Sequence, residues 1–344
     1  MSSILDRLVV GTLPFVPRAV VGRFARRYVA GETLDDAVRV VRELEAEGAM
    51  ATIDVLGESV TRREQTEATR DEYLRVLDTI VGNRLPANVS VKPTALGLAV
   101  DPQLIRDNCR AILRKAAESG TFVRIDMEDS PYTEATLRLA LEMKEEFPNV
   151  GVVVQAYMRR TLADMDRLAA ARMNVRICKG IYVEPREIAF KDRLVVIENY
   201  AAIVEKHLSS GCYAGIATHD EACVQKALAT IDRLKLSTER YEFQMLLGVD
   251  PLLRKVLLRA GHRLRVYVPY GRDWYAYSLR RLKENPSIAG HVVPTPSQPS
   301  STARTASSAC STPLISSGTG TRSRSQARSC QPGASAIQPS NTSL

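Results

Sequence analysis

Eight short apolar runs recur between residues 51 and 271, separated by longer stretches of helical periodicity. The runs read ATIDVLG, NVSVKPT, FVRIDME, GVVVQAY, NVRICKGIY, AGIATHD, YEFQMLL and LRVYVPYG. Between them, segments such as DNCRAILRKAAESG and EATLRLALEMKEEF space apolar residues by three and four. Strand and helix patterns that alternate in this way predict βαβ units and a parallel sheet. Runs rich in Val and Ile on both faces, like GVVVQAY, fit strands covered by helices. Eight units predict an α/β fold of the closed (β/α)8 barrel type, for which about 250 residues suffice. The competing open doubly wound sheet would usually place a G-x-G-x-x-G turn after its first strand. The segment here is LGESVTRREQT, which favours the barrel.

The flanks differ from the repeat. Residues 1–50 are predicted as N-terminal helices packing on a barrel of residues 51–293. PRAVVGRFARRYVA and TLDDAVRVVRELEAEG show helical spacing. The second has Thr33 as its N-cap, Asp35 and Asp36 in its first turn, and Gly48 as its stop. After the eighth run, WYAYSLRRLKENP predicts a closing helix that halts before Pro286. From residue 294 the chain becomes Ser/Thr/Pro-rich without aliphatic periodicity. A tail over 294–344 is expected to be disordered, because it buries too little apolar area to offset its ordering entropy.

Composition narrows the function classes. Four of the eight net positive charges lie in the tail, as Arg304, Arg322, Arg324 and Arg328. The remaining basicity is diffuse and lacks aromatic-interleaved clusters, so no nucleic-acid partner is expected. Six cysteines without C-x-x-C spacing suit a reducing cytosol. No apolar stretch approaches the ~20 residues a bilayer demands. Asp6 and Arg7 interrupt the N-terminal apolar segment, which argues against a signal peptide. A cytoplasmic protein is expected.

Chemistry gathers at the ends of the runs. Lys92, Asp126, Gln155, Arg176, His219 and Tyr267 all sit at or near the C-terminal end of one. In a barrel these ends meet over a single mouth. Arg176, inside an apolar run, is costly to bury without a partner. A phosphate, a flavin ring edge or an acidic side chain (Asp126 or Glu128) would each serve. Gly180 lacks the Cβ that would hold a ligand away from the backbone. Asp126 belongs to an acidic cluster with Glu128 and Asp129, readable as a salt bridge or a metal ligand. The four scattered histidines give no metal signature, and none is expected. His219 is readable as structural or as a ligand contact. Arg280 and Arg281 are either two solvated helix residues or a fork for a carboxylate.

Taken together, VRICKGIYVEP, the ATHD turn, YEFQMLLG and YVPYGRDWYAYSLRRLKENP resemble the proline dehydrogenase family. The resemblance covers roughly residues 20–293 and is closest to the short, monofunctional bacterial form. It implies a distorted (β/α)8 barrel that holds FAD without a Rossmann domain. It further implies that L-proline is oxidised to Δ1-pyrroline-5-carboxylate by hydride transfer from C5 to FAD. Electrons would pass to a membrane quinone, with peripheral contact at the inner face of the membrane. The product would be handed to a pyrroline-5-carboxylate dehydrogenase.

Carried over by motif, Asp126 and Arg176 would be catalytic. Arg280, Arg281 and Lys92 would take the proline carboxylate, with Tyr267 and Leu246 lining its ring. Met127, Gln155, Arg176, Cys178, Lys179, Gly180, Tyr182, Thr218 and His219 would contact FAD. Glu58 would pair with Arg280 as a gate. Cys178 stands where the family has an aliphatic residue, and Ile181 where it has a small Ala. Pro93 restricts Lys92 to an extended backbone. Two other readings remain at this point: a methylenetetrahydrofolate reductase-like barrel oxidoreductase, which would not need the adjacent arginines, and a non-catalytic barrel protein.

Overall fold

The computed structural model describes residues 18–57, 60–275 and 277–279. Strands β1 (Met50–Val55), β2 (Ala87–Val91), β3 (Val123–Ile125), β4 (Val150–Gln155), β5 (Asn174–Cys178), β6 (Ala214–Ala217), β7 (Tyr241–Leu246) and β8 (Leu264–Tyr270) form one closed parallel barrel. Each of the eight runs supplies one strand. The ring closes where β8 pairs with β1, with Ile53 opposite Val268. The helices between strands include α3 (Arg63–Gly82), α4 (Pro102–Glu118), α5 (Ser130–Glu146), α6 (Thr161–Ala170), α7 (Arg193–Ser209), α8 (Glu221–Arg233) and α9 (Pro251–Arg259). Two helices precede β1: α1 (Arg18–Tyr28) and α2 (Leu34–Ala46). None of the helices in the described residues is long and apolar enough to cross a membrane.

Local chemistry accounts for α2. Thr33 and Asp36 form a reciprocal capping box at its start. Gly48 sits at φ +85° just beyond its end, a conformation that glycine adopts without penalty. Its buried face, Ala37, Val40, Val41 and Leu44, packs at the seam between β1 and β8. The closing helix is described for Trp274, Tyr275 and Tyr277–Leu279. The expected tail and the remainder of that helix lie outside the described residues.

Alternate strand residues point to opposite faces. Ile53, Val89, Ile125, Val152, Ile177, Ile216, Phe243 and Val268 belong to one buried apolar core shared with the helices. The other set is polar where barrels of this type usually carry branched aliphatics. Asp54, Ser90, Arg124, Arg176, Glu242 and Gln244 are all buried. They are tolerated because they are hydrogen-bonded; Arg124, for example, donates to the Val152 and Asn174 carbonyls and to Asn174 Oδ1.

His207 on α7 is a buried histidine outside the barrel. Its Nε2 lies 3.1 Å from the Tyr213 carbonyl, which assigns the proton to Nε2. Nδ1 has no hydrogen-bond partner among the described residues. Burial pushes its pKa down to about 4 from 6.5. Above pH 6.5 neither the folded nor the unfolded state protonates this ring. Below it the unfolded state takes up a proton first, so stability is lost as pH falls toward the folded value. The loss is on the order of 3 kcal/mol across that window. His207→Leu is expected to flatten this part of the stability profile in urea titrations at pH 7 and pH 5. An equally steep profile in the variant would exclude His207 as its source.

Candidate active site

The C-terminal ends of the strands surround a cavity of about 940 Å³. Lys92, Asp126, Met127, Gln155, Arg176, Cys178, Lys179, Gly180, Tyr182, Thr218, His219, Leu246 and Tyr267 all line it. Residues from seven strands and their following loops thus meet on one wall. Glu58, Arg280 and Arg281 lie outside the described residues.

A continuous hydrogen-bonded network floors the cavity. The Asp126 carboxylate accepts from Ser90 Oγ at 2.5 Å, Arg176 at 2.8 Å and Tyr267 Oη at 2.9 Å. Of the two acidic side chains open to Arg176, it meets Asp126. Glu128 instead accepts from the Thr94 amide and hydroxyl, which ties the loop after β2 to that after β3. The guanidinium of Arg176 also donates through Nε to Gln244 Oε1. Gln244 in turn donates to Glu242 at 2.6 Å, and Glu242 pairs with Arg265 at 2.8 Å. Arg176 is therefore gripped on two sides.

At the other end, Lys92 Nζ lies 2.5 Å from Asp54 Oδ1 and 3.3 Å from Tyr267 Oη. Lys92 is extended, at φ −95° and ψ 121°, as its position before Pro93 requires. Burial, reinforced by the Asp126 and Asp54 charges, raises the Tyr267 phenol well above 10. It stays protonated and acts as a donor to Asp126. The Lys92 and Arg176 cations lie 5.9 and 5.3 Å from the centre of its ring.

The opposite flank is built from loops. Lys179 and Arg193 both contact Asp220, at 2.8 and 2.7 Å. Asp220 also caps α8 by accepting from the Ala222 amide. Burial opposes its ionisation, but the Lys179 hydrogen bond and charge, the Ala222 amide and Arg193 outweigh it and hold the carboxyl low. His219 Nε2 accepts from the Leu246 amide at 2.8 Å, so the neutral ring carries its proton on Nδ1. Thr218 Oγ1 accepts from the Asp220 amide, and Gln155 donates to the Glu128 carbonyl. Burial raises the Cys178 thiol to about 11, so it is not a thiolate nucleophile at neutral pH.

Gly180 borders the cavity, and a neighbouring side chain also requires a glycine there. At φ +110°, a Cβ here would fall 2.1 Å from the Tyr157 ring. The space that a Cβ would need is taken by the Tyr157 side chain.

The residues that sequence reasoning passed over are Asp54, Ser90, Gln244, Asp220 and Arg193. Asp54 and Gln244 carried a usable signal, a polar side chain inside an apolar run, as Arg176 did. Arg193 carried none, because the long loop after β5 returns it to the cavity only in the folded chain.

A family model described as proline dehydrogenase matches residues 37–293. Proline dehydrogenase 1 of Bacillus subtilis is 36% identical over 269 residues, covering 78% of this chain and 89% of the relative. The proline dehydrogenase of Deinococcus radiodurans is 36% identical over 274 residues, covering 78% and 88%. Among solved structures, proline utilization A from Bdellovibrio bacteriovorus aligns with a TM-score of 0.74 and 23% identity. That alignment covers 80% of this chain and 36% of the longer one, and the likeness is one of fold.

Proposed function

This chain belongs to the proline dehydrogenase family, and on that premise we propose that its cavity binds L-proline beside FAD and oxidises it to Δ1-pyrroline-5-carboxylate. The observation that carries the reading is the convergence of Lys92, Asp126, Arg176 and Tyr267 into one network on the wall of a single cavity.

The residues present fit the cofactor. A volume of about 940 Å³ stands at the upper end of small-molecule sites. Cations from Arg176, Lys179 and Arg193 border it, in keeping with an anionic, diphosphate-bearing ligand. Met127, Val153 and Leu246 offer apolar surface to a flat ring. Met127, Gln155, Arg176, Cys178, Lys179, Gly180, Tyr182, Thr218 and His219 would hold FAD. When bound, FAD supplies the acceptor for the hydride that leaves proline C5.

The chain's own groups do the rest. Lys92, with Arg280 and Arg281, would hold the proline carboxylate, and Tyr267 and Leu246 would bound the ring. Fixing the substrate in one pose replaces a random encounter with a near-attack geometry. Arg176, held between Asp126 and Gln244, presents a fixed positive charge that needs no reorganisation as negative charge develops nearby. Asp126 keeps Arg176 and Tyr267 in register. Glu58 would pair with Arg280 while the site is empty. Electrons would leave to a membrane quinone at the inner face of the membrane, which requires transient peripheral contact. The product would pass to a pyrroline-5-carboxylate dehydrogenase.

A proline-dependent dye-reduction assay, run with and without added FAD, tests the reading. FAD-reconstituted protein is expected to reduce the dye only when L-proline is present. Reconstituted protein whose flavin absorbance is not bleached by anaerobic L-proline would sink it.

A further inference from the structure

We infer that Asp54 is a positioning residue that acts through Lys92, setting the direction of the hydrogen bonds that run from Lys92 through Tyr267 to Asp126. Asp54 lies on β1 behind the cavity wall and is fully buried. It is not among the residues lining the cavity, so it does not touch a ligand there. Its Oδ1 receives Lys92 Nζ at 2.5 Å and lies 3.3 Å from Tyr73 Oη. The Tyr73 hydroxyl, on α3, donates to the Ser90 carbonyl at 2.6 Å. Oδ2 has no hydrogen-bond partner among the described residues.

A carboxylate in this place is expensive for stability alone. Burial pushes its pKa up, and the Asp126 charge adds to that, while Lys92 opposes both. A buried pair of this kind often stabilises a fold no better than apolar residues of the same size. What the charge achieves is control of Lys92. Beside an anion, the lysine keeps its proton and can only donate. Tyr267 Oη then accepts from Lys92 and has its one proton left for Asp126. A neutral lysine could instead accept the Tyr267 proton and turn it away from Asp126. The direction of the network is therefore decided at Asp54, one residue removed from the cavity. Among the described residues, the titratable and charged groups facing Asp54 are Lys92 after β2, Asp126 after β3, Tyr267 and Tyr270 on β8, and Tyr73 on α3.

The inference rests on the proposal that the cavity oxidises proline, and the two fail differently. Wild-type protein without proline-dependent dye reduction removes that proposal. Wild-type activity together with an Asp54→Asn variant of wild-type pH dependence removes only the inference. Asp54→Asn keeps the shape and an acceptor oxygen but removes the carboxylate charge that Lys92 meets at 2.5 Å. Its kcat/KM for proline is expected to fall about tenfold per pH unit above a new ionisation that the wild type lacks. In a Lys92→Met background the same change should add no pH dependence, because the group that titrates is gone. An additional ionisation that persists in Lys92→Met would overturn the inference. Should Asp54→Asn fail to bind FAD or fold, Asp54→Glu carries the test. It keeps the charge and moves it by one methylene, so KM should rise while the pH profile stays that of wild type. Unchanged kcat and KM in Asp54→Glu would also overturn it.

Discussion

Arg176→Met is expected to lower kcat for proline by about a thousandfold, as removal of a preorganised electrostatic group does at other active sites. Two effects combine. The variant loses the fixed positive charge on the cavity wall. It also strips Asp126 of its guanidinium partner, leaving only the Ser90 and Tyr267 donors on a buried carboxylate. Removing one partner of a buried ion pair leaves the other charge uncompensated. Arg176→Lys should recover little, because an ammonium cannot reach Gln244 and Asp126 at once as the planar fork does. Steady-state kinetics with L-proline and an artificial acceptor, on flavin-normalised enzyme, measure the effect. A loss of less than tenfold in Arg176→Met would show that the charge is dispensable.

Gly180→Ala is expected to destabilise the protein by about 2–4 kcal/mol and to weaken FAD binding with it. The backbone at φ +110° is one that a side chain with a Cβ rarely adopts. The new methyl would also fall 2.1, 2.3 and 2.7 Å from three atoms of the Tyr157 ring. Neither partner can retreat cheaply. The Tyr157 amide donates to the Lys179 carbonyl at 2.8 Å, and its own carbonyl accepts from Phe190. The Ala156 amide is likewise held by the Cys178 carbonyl at 2.7 Å. Relief must come from moving residues 179–182, which carry Lys179 and Tyr182 to the cavity. Urea unfolding and the flavin content of the purified protein report the two losses. Tyr157→Ala in the same chain should restore part of both, since it removes the ring that the methyl strikes. A Gly180→Ala protein of wild-type stability and flavin content would mean that this loop relaxes freely.

The barrel was legible because its determinants are local. Each apolar run is bounded by turn residues and followed by a stretch of different period, and period is a property of neighbours in the chain. The cap at Thr33 and the extended backbone at Lys92 were legible for the same reason, since Asp36 and Pro93 lie within three residues of them. The polarity of the barrel interior was only half legible. Arg176 stood out as a charge in an apolar run, yet Asp54, Glu242 and Gln244 stand in runs too, and nothing local to the runs tells what they meet. Their meaning depends on partners 38, 23 and 68 positions away in the sequence.

Gly180 marks the other limit. Composition says only that a glycine permits close approach; which group approaches is decided by the loop after β4, and the group is Tyr157. Glu128 was grouped with Asp126 by adjacency, but both follow the end of β3, where strand alternation no longer fixes direction, and the Glu128 carboxylate serves Thr94 instead.

The eight strands, their order and the gathering of polar residues at one end of a barrel are written in local sequence patterns. Those follow from hydrophobic period and from the rule that parallel strands joined by helices point the same way. Which charge answers which is set by the folded barrel. Closure of β8 onto β1 brings Tyr267 across to Lys92 and Asp126, and the ring as a whole sets Arg176 against Asp126. Ion pairing depends on distances of a few ångströms between residues far apart in the chain, and no periodicity records them.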